Sequence, residues 1–276
     1  MAAKVSAGRN LTGPALKVLA RVPGLECGQQ AHRIERLGGG TVNEVFRVDT
    51  SAGRFVLRLN GAQWRRPGVD RVRELQLHRA AAAAGVAPAI VAAEPSWDGL
   101  LIMEYEDGRT WAAADYRNVS SLTRLGERLG VLHGILPPEV SAFDPLQVAQ
   151  SYVDLIRHDH VELQPQIRRL QSLCERVALP GAHPSVIHGD LWEGNLLDGS
   201  RLWLVDWEYA QLSDPLMDIA CLLAYYPDAV PYRRELAAAA GLGSRDLDQQ
   251  LFDRVNIYRT LSWLWHLARG EHATPP

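Results

Sequence analysis

Lysine is nearly absent from this chain. It occurs only at Lys4 and Lys17, and every other basic residue among the 29 is arginine. No lysine beyond position 17 can therefore clamp a phosphate, act as a nucleophile or form a Schiff base. Cysteine is also scarce. Cys27, Cys174 and Cys221 lie far apart without a C-x-x-C pair. That excludes a disulfide scaffold and reads as reduced thiols in a cytoplasmic protein. Long apolar runs are missing, with none near the ~20 residues of a membrane span. Leu11 to Leu25 is broken by polar residues and prolines, so it is not the core of a signal peptide. A net charge of −3 gives no basic excess for nucleic acid. Internal repeats and low-complexity linkers are absent from the sequence.

What remains is ordinary globular composition. Of 276 residues, 47% are hydrophobic and 22% charged, enough to bury the core of one large domain or two lobes. The wealth of arginine and alanine, as in Ala80 to Ala84, reads as the codon bias of a GC-rich genome. Basic side chains outnumber acidic ones in the first half, and the balance reverses in the second. Either an anion-binding front with a cation-tolerant back or chance surface composition gives that asymmetry.

The periodicity divides the chain. A short helix fits Pro14 to Arg21. His32 to Leu37, Glu44 to Asp49 and Arg54 to Leu59 then alternate as strands, and Thr50-Ser51-Ala52-Gly53 between the last two has turn chemistry. Arg71 to Ala84 is helical with Gly85 as its stop. Leu100 to Tyr105 is an apolar run suited to a buried strand. After Gly108 the pattern changes. Leu122, Leu125, Leu129, Leu132 and Leu136 form a stripe at helical spacing. Further helices fit 147–158, 161–177, 215–226, 233–240 and 248–269, interrupted by short apolar runs at Ser185 to His188 and Leu202 to Val205. The expectation is an α+β chain of two lobes. A small β-rich lobe spans 1–105, a connector lies near 104–110, and a larger, mainly helical lobe spans 106–276.

The chemistry concentrates in Val186-Ile187-His188-Gly189-Asp190-Leu191-Trp192-Glu193-Gly194-Asn195-Leu196-Leu197. A short apolar strand runs into His-Gly-Asp, and an amide follows five residues after the aspartate. Eleven residues beyond Asn195, another apolar strand ends in Asp206-Trp207-Glu208. Phosphoryl transfer needs this supply: one carboxylate beside an acceptor hydroxyl, and an amide plus a second carboxylate to hold magnesium against phosphates. Hard Mg²⁺ takes oxygen ligands and keeps several waters, so two protein ligands suffice.

His-Gly-Asp-x-x-x-x-Asn followed by Asp-Trp-Glu resembles the aminoglycoside phosphotransferase superfamily, which includes choline, ethanolamine, thiamine and fructosamine kinases. The likeness runs from about residue 30 to the C-terminus. It implies a protein-kinase-like two-lobe fold, Asp190 as catalytic base, Asn195 and Asp206 as metal ligands, and His188 as a structural brace of the loop. ATP and Mg²⁺ are the implied cofactors. Leu37-Gly38-Gly39-Gly40-Thr41-Val42-Asn43-Glu44 precedes a strand, and glycines let backbone N–H groups approach phosphate oxygens. No Lys follows and no helix begins there, so it is not a Walker loop. Ahead of the catalytic loop it resembles the nucleotide-covering loop of these kinases, with Gly39, Gly40 and Thr41 at the phosphates. Arg58, in Val56-Leu57-Arg58-Leu59, stands where most such enzymes carry a lysine. Arginine supplies a planar, permanently charged fork for phosphate, and Glu74 on the following helix would be its ion-pair partner. Backbone groups near Glu104 and Tyr105, as far as Glu106, should take adenine, although Tyr105 could instead be a core aromatic.

The remaining candidates concern the acceptor. Asp206-Trp207-Glu208-Tyr209-Ala210, Asp214-Pro215 and Asp218 look most like choline/ethanolamine and thiamine kinases. Asp218 reads as a helix N-cap, and the resemblance gives it a scaffold role beside the catalytic loop. Glu208 reads as a metal or substrate contact or as a polar loop residue. Trp192, Tyr258 and Trp263 are substrate candidates, because indole and phenol faces attract cations. The alternative for Trp263 and Trp265 is packing, and being two apart on one helix they cannot both face one site. His158-Asp159-His160 reads as helix-surface polarity, and His133 as packing or capping. The expected function is ATP-dependent phosphorylation of a hydroxyl on a small, cationic metabolite, with no nucleic-acid or membrane partner. The alternatives are an aminoglycoside, fructosamine or amino-sugar kinase, or a catalytically silent nucleotide-binding module.

Overall fold

The computed structural model describes residues 19–25, 31–37, 43–60, 68–95, 99–156, 162–177 and 184–276. The anticipated helix at Pro14 to Arg21 is described only over Leu19–Arg21, as a 3-10 turn. Gly39, Gly40 and Thr41, and likewise His158-Asp159-His160, lie outside the described residues.

Alternation of apolar and polar side chains builds the first sheet. β1 (Arg33–Arg36), β2 (Glu44–Thr50), β3 (Gly53–Leu59), β4 (Ile90–Ala93) and β5 (Leu100–Glu104) pair antiparallel in the order β1-β2-β3-β5-β4. Phe46, Val48, Leu57 and Ile102 point to one face and are buried there. The β2–β3 register runs from Glu44 opposite Leu59 to Thr50 opposite Gly53. Gly53 closes that hairpin at φ 145°, a backbone region that L side chains avoid. α1 (Arg71–Ala83) follows, capped by Asp70, whose carboxylate accepts from Val72 N and Arg73 N.

The rest of the chain is mostly helical: α2 (Val119–His133), α3 (Pro145–Val153), α4 (Leu163–Val177), α5 (Leu216–Tyr225), α6 (Arg233–Ala239) and α7 (Leu247–Ala268). Leu122, Leu125, Leu129 and Leu132 on α2 are fully buried. Leu136, the fifth leucine of the stripe, lies past the helix end and is 90% exposed. Gly126 lets α2 approach α6, since a Cβ there would sit 2.5 Å from the Leu236 carbonyl oxygen. Among the described residues no helix is long and apolar enough to cross a membrane.

Short strands seat the functional loops. β7 (Ser185–Ile187) pairs with β10 (Gln211–Ser213). β6 (Gly108–Thr110), β8 (Leu196–Gly199) and β9 (Leu202–Leu204) form a three-stranded sheet. The sequence reading anticipated β7 and β9 as apolar runs but not β4, β6, β8 or β10, and at three or four residues none of the six shows a period.

Trp207 is completely buried where these parts meet. The His78 ring of α1 stacks on it at 5.8 Å, and the His188 ring meets it edge-on at 4.8 Å. His78 Nε2–H donates to the Pro88 carbonyl at 2.9 Å. Burial pushes the His78 imidazole down to about 4 and lowers His188 too. A depressed base means that the unfolded chain binds the proton more readily, so stability rises with pH between the two values. The His78 contribution is fully present above pH ~6.5 and is lost as pH falls toward 4, a change of roughly 3 kcal/mol. Denaturant midpoints across that window are expected to drop on acidification, and less so in His78→Phe.

Candidate active site

The His188 to Asn195 loop is held by the core beneath it. Asp218, fully buried in α5, accepts from His188 N at 3.1 Å, Gly189 N at 2.8 Å and the His133 ring at 2.9 Å. It sits inside the helix rather than at its cap; the carboxylate accepting from Leu216 N belongs to Asp214. Asp190 N donates to His188 Nδ1 at 3.3 Å, and His188 Nε2 lies 3.0 Å from the Val205 carbonyl. The ring is thus the neutral Nε2–H tautomer, bridging the loop to the strand that ends at Asp206. Gly189 is required twice over. Its φ is +76°, and a Cβ would stand 2.7 Å from the Tyr209 carbonyl oxygen.

With the loop fixed, Asp190 is aimed. The Asn195 side-chain amide donates to the Asp190 backbone carbonyl at 2.9 Å and to its Oδ2 at 3.0 Å. The Tyr225 hydroxyl donates to Oδ1 at 3.3 Å. Asp206 follows β9 at φ 62°, the only non-glycine residue with positive φ among the described residues. Such a residue persists only where its surroundings over-determine it, and such residues cluster at functional sites.

Arg58 joins Asp206 to a buried chain of charges. Its Nη1 lies 3.2 Å from Asp206 Oδ1, and its Nη2 lies 2.6 Å from Glu74 Oε1. Arg71 Nη1 then reaches Glu74 Oε2 at 2.8 Å and Glu208 Oε2 at 3.2 Å. Asn43 Nδ2 donates to the same Glu208 oxygen at 3.3 Å. Burial works against the Glu74 carboxylate, yet Arg58 and Arg71 together hold it below its ordinary range. Asp206 goes the other way. Loss of water, and then the neighbouring Glu208 charge, push its carboxyl up to about 7 against the pull of Arg58.

The donor set offers a test of fit for a divalent cation. The wall carrying Asp206 is short of positive charge even with Arg58 present. Its donors are hard oxygens: the Asp206 carboxylate and the Asn195 Oδ1, which takes no part in the bonds made by the amide nitrogen. Among the described residues no set of three or more His, Cys, Asp or Glu side chains is arranged to hold a metal. A two-ligand arrangement completed by phosphate oxygens and water suits Mg²⁺ and fits the residues present.

Asp190, Asn195 and Asp206 open on a cleft of ≈ 1040 Å³ that also reaches Val56, Met103 and the Glu104 to Glu106 connector. There the Glu104 N–H donates to the Ala89 carbonyl and the Tyr105 N–H to the Arg54 carbonyl. Both amides are thus engaged within the protein. The Glu106 N–H makes no hydrogen bond among the described residues. The Tyr105 ring packs against the Arg47 and Arg54 guanidinium groups at 4.3 and 5.5 Å.

The far end of the cleft is aromatic, with Trp192, Tyr209, Tyr225, Tyr226, Tyr258 and Trp265 on its wall. The Trp192 indole lies so close over Gly194 that a Cβ there would collide with it. Trp263 requires correction. It is 4% exposed, and its Nε1–H donates to the Ala273 carbonyl on the far side of α7. The two-residue offset turns Trp265 to the cleft instead, where its Nε1–H meets the Tyr209 hydroxyl at 3.1 Å. Glu208 is 5% exposed and tied to Arg71 and Asn43. The sequence reading missed Arg71, Asn43 and Tyr225, and took His133 for packing or capping where it donates to Asp218. Only Arg71 carried a signal, its i,i+3 spacing from Glu74.

Residues 33–253 match the phosphotransferase enzyme family (APH), and the chain belongs to it. It is a small-molecule phosphotransferase with the protein-kinase-like two-lobe fold of that family. A choline/ethanolamine kinase family protein from Mesorhizobium loti is similar at 27% identity with a TM-score of 0.75, over 92% of this chain and 85% of that one. The choline kinase of Streptococcus pneumoniae superposes with a TM-score of 0.73 at 19% identity, over 94% and 92%. A spectinomycin phosphotransferase shares the fold at a TM-score of 0.63 and 14% identity, over 92% and 86%. No functionally curated protein matches the sequence.

Removing one member of a buried charge chain leaves its partners uncompensated. Arg71→Ala is expected to lower unfolding free energy by ~3–5 kcal/mol. Arg117→Ala, which breaks an exposed pair with Asp228, should cost ~0–1 kcal/mol. Urea unfolding of the two variants checks the contrast.

Proposed function

We propose that this chain transfers the γ-phosphoryl group of ATP to a hydroxyl of a small, cationic metabolite, and that Asp190, Asn195, Asp206 and Arg58 carry the reaction. The observation behind this reading is the convergence of those four side chains on one cleft. Asp190 orients the acceptor hydroxyl and accepts its proton. Asn195 and Asp206 would hold magnesium, which when bound neutralises charge on the phosphates. Arg58 presents a fixed fork toward the phosphates, with Glu74 limiting its motion. At the connector, the Glu106 N–H is the donor left for adenine. Residues 1–105 would then serve as the nucleotide lobe and 106–276 as the catalytic and acceptor lobe. The chemistry suits a cytoplasmic enzyme, where ATP is available.

The charge of the cleft favours a cation. Among its described lining residues Arg58 is the one arginine, whereas Glu104, Glu106, Asp190, Glu193, Asp206 and Glu208 are acidic. The aromatic wall adds to this, since a cation over an indole or phenol face gains roughly 0.5–2 kcal/mol. Trp192 and Tyr225 flank Asp190 and present their rings to the cleft. This reading is in keeping with the choline/ethanolamine kinase family protein at 27% identity. A choline, ethanolamine or thiamine acceptor fits such a wall better than a polycationic amino sugar does.

An ATP-consumption panel of choline, ethanolamine, thiamine, fructosamines and kanamycin-type sugars tests the acceptor class. Turnover confined to the amino sugars would overturn the aromatic-wall argument. Asp190→Ala should cost on the order of 10²–10⁴-fold in turnover while Mg·ATP still raises the melting temperature. Wild-type turnover in that variant removes Asp190 from its role. Arg58→Ala is expected to raise the KM for ATP and lower kcat, and an unchanged pair of constants would remove Arg58 from the site.

A further inference from the structure

The α5 terminus carries a residue that no sequence pattern singled out. From the hydrogen bonds on the Asp190 carboxylate we infer that Tyr225 is a positioning residue, whose hydroxyl fixes the plane of that carboxylate for proton acceptance. The inference rests on the phosphotransfer reading of Asp190. Asn195 Nδ2 donates to Oδ2 at 3.0 Å and Tyr225 Oη to Oδ1 at 3.3 Å. A donor on one oxygen resists rotation about Cβ–Cγ through a single soft contact. Donors on both oxygens fix the plane, and with it the direction of the lone pairs that receive a proton. The distance to Oδ1 is at the long end for a hydrogen bond, as is common for catalytic contacts before a substrate is bound.

The hydroxyl is itself held. The Tyr225 ring meets the half-buried Tyr258 ring edge-on at 5.6 Å. Its neighbour Tyr226 stacks on Tyr116 at 3.5 Å, with the planes 7° apart, and donates to Glu193 Oε2 at 3.1 Å. The end of α5 is thereby pinned on both sides of the chain. Desolvation, and then the Asp190 charge, raise the Tyr225 phenol and favour its donor form. Asn195 and Asp190 belong to one loop, whereas Tyr225 comes from α5. The aim of the carboxylate therefore depends on how that helix packs on the loop through Asp218.

The test combines Tyr225→Phe, which keeps the ring, with Asp190→Asn. Rates are read for choline, ethanolamine, thiamine and, with Mg·ATP alone, water as acceptor. Tyr225→Phe is expected to lower kcat roughly 10-fold or more, the weight of a hydrogen bond to a charged group. The KM for ATP and the melting temperature should stay unchanged. On the Asp190→Asn background the same substitution should cost nothing further, because residues that act through one another are not additive. An equal loss on that background, or an unchanged kcat in the single variant, overturns the inference. A crystal structure of Tyr225→Phe decides independently of turnover. The Asp190 carboxylate should occupy more than one orientation, and a single orientation identical to that of the parent protein defeats the proposal. If the parent protein consumes no ATP with any of these acceptors, the kinase reading fails, while the carboxylate orientation still tells whether Tyr225 positions Asp190.

Discussion

Four charged side chains are buried in sequence across this molecule, Arg58, Glu74, Arg71 and Glu208, joined at one end by the partly exposed Asp206 and closed at the other by Asn43. Each alone would be costly to remove from water. Paired through short contacts they are tolerated, and the pairing is only possible in one arrangement of three elements. β3 brings Arg58, α1 brings Arg71 and Glu74, and the segment after β9 brings Asp206 and Glu208. The relative placement of the sheet, α1 and the catalytic wall thus depends on satisfying these charges.

The chain of charges also sets the electrostatics of the cleft. Two arginines face three carboxylates, and Asp206 at the end of the chain feels both loss of water and the neighbouring Glu208 charge. Its carboxyl is pushed up to about 7, and its backbone sits in the left-handed region. Both features mark a position shaped for something other than packing. Strain and uncompensated charge are held there by rigid surroundings: Trp207 completely buried beside it, and His78 and His188 against the indole. A similar economy governs Asp218, one buried carboxylate that orders the loop carrying Asp190 by accepting from two consecutive amides and a histidine.

Around this rigid centre the two ends of the cleft differ in kind. At the connector, recognition under the proposed reading falls to backbone groups, because the Tyr105 ring packs against Arg47. At the far end it falls to side chains, mostly aromatic, supplied by α5, α7 and the catalytic loop. Backbone recognition tolerates sequence change, whereas an aromatic wall does not. Differences in acceptor among proteins of this fold are therefore expected to lie in α5 and α7.

The sequence by itself determined what depends on short-range chemistry. Strand alternation in β2 and β3 and the leucine stripe of α2 are local, as is the His-Gly-Asp-x-x-x-x-Asn spacing that puts Asn195 against Asp190. The Arg58–Glu74 pair was legible only through the resemblance, which sets a basic residue on that strand beside a carboxylate on the following helix. What the tertiary structure decided needed residues distant in the chain. Arg71 meets Glu208 across 137 positions, Tyr225 meets Asp190 across 35, and His133 meets Asp218 across 85. Whether Trp263 or Trp265 faces the cleft was open to the sequence, because a helix of that amphipathicity can bury either. Only the packing of α7 against α4 and α5 chose, turning one indole to the C-terminal residues and the other to the site. Local patterns name the groups a chain can offer; burial and long-range pairing determine which of them meet.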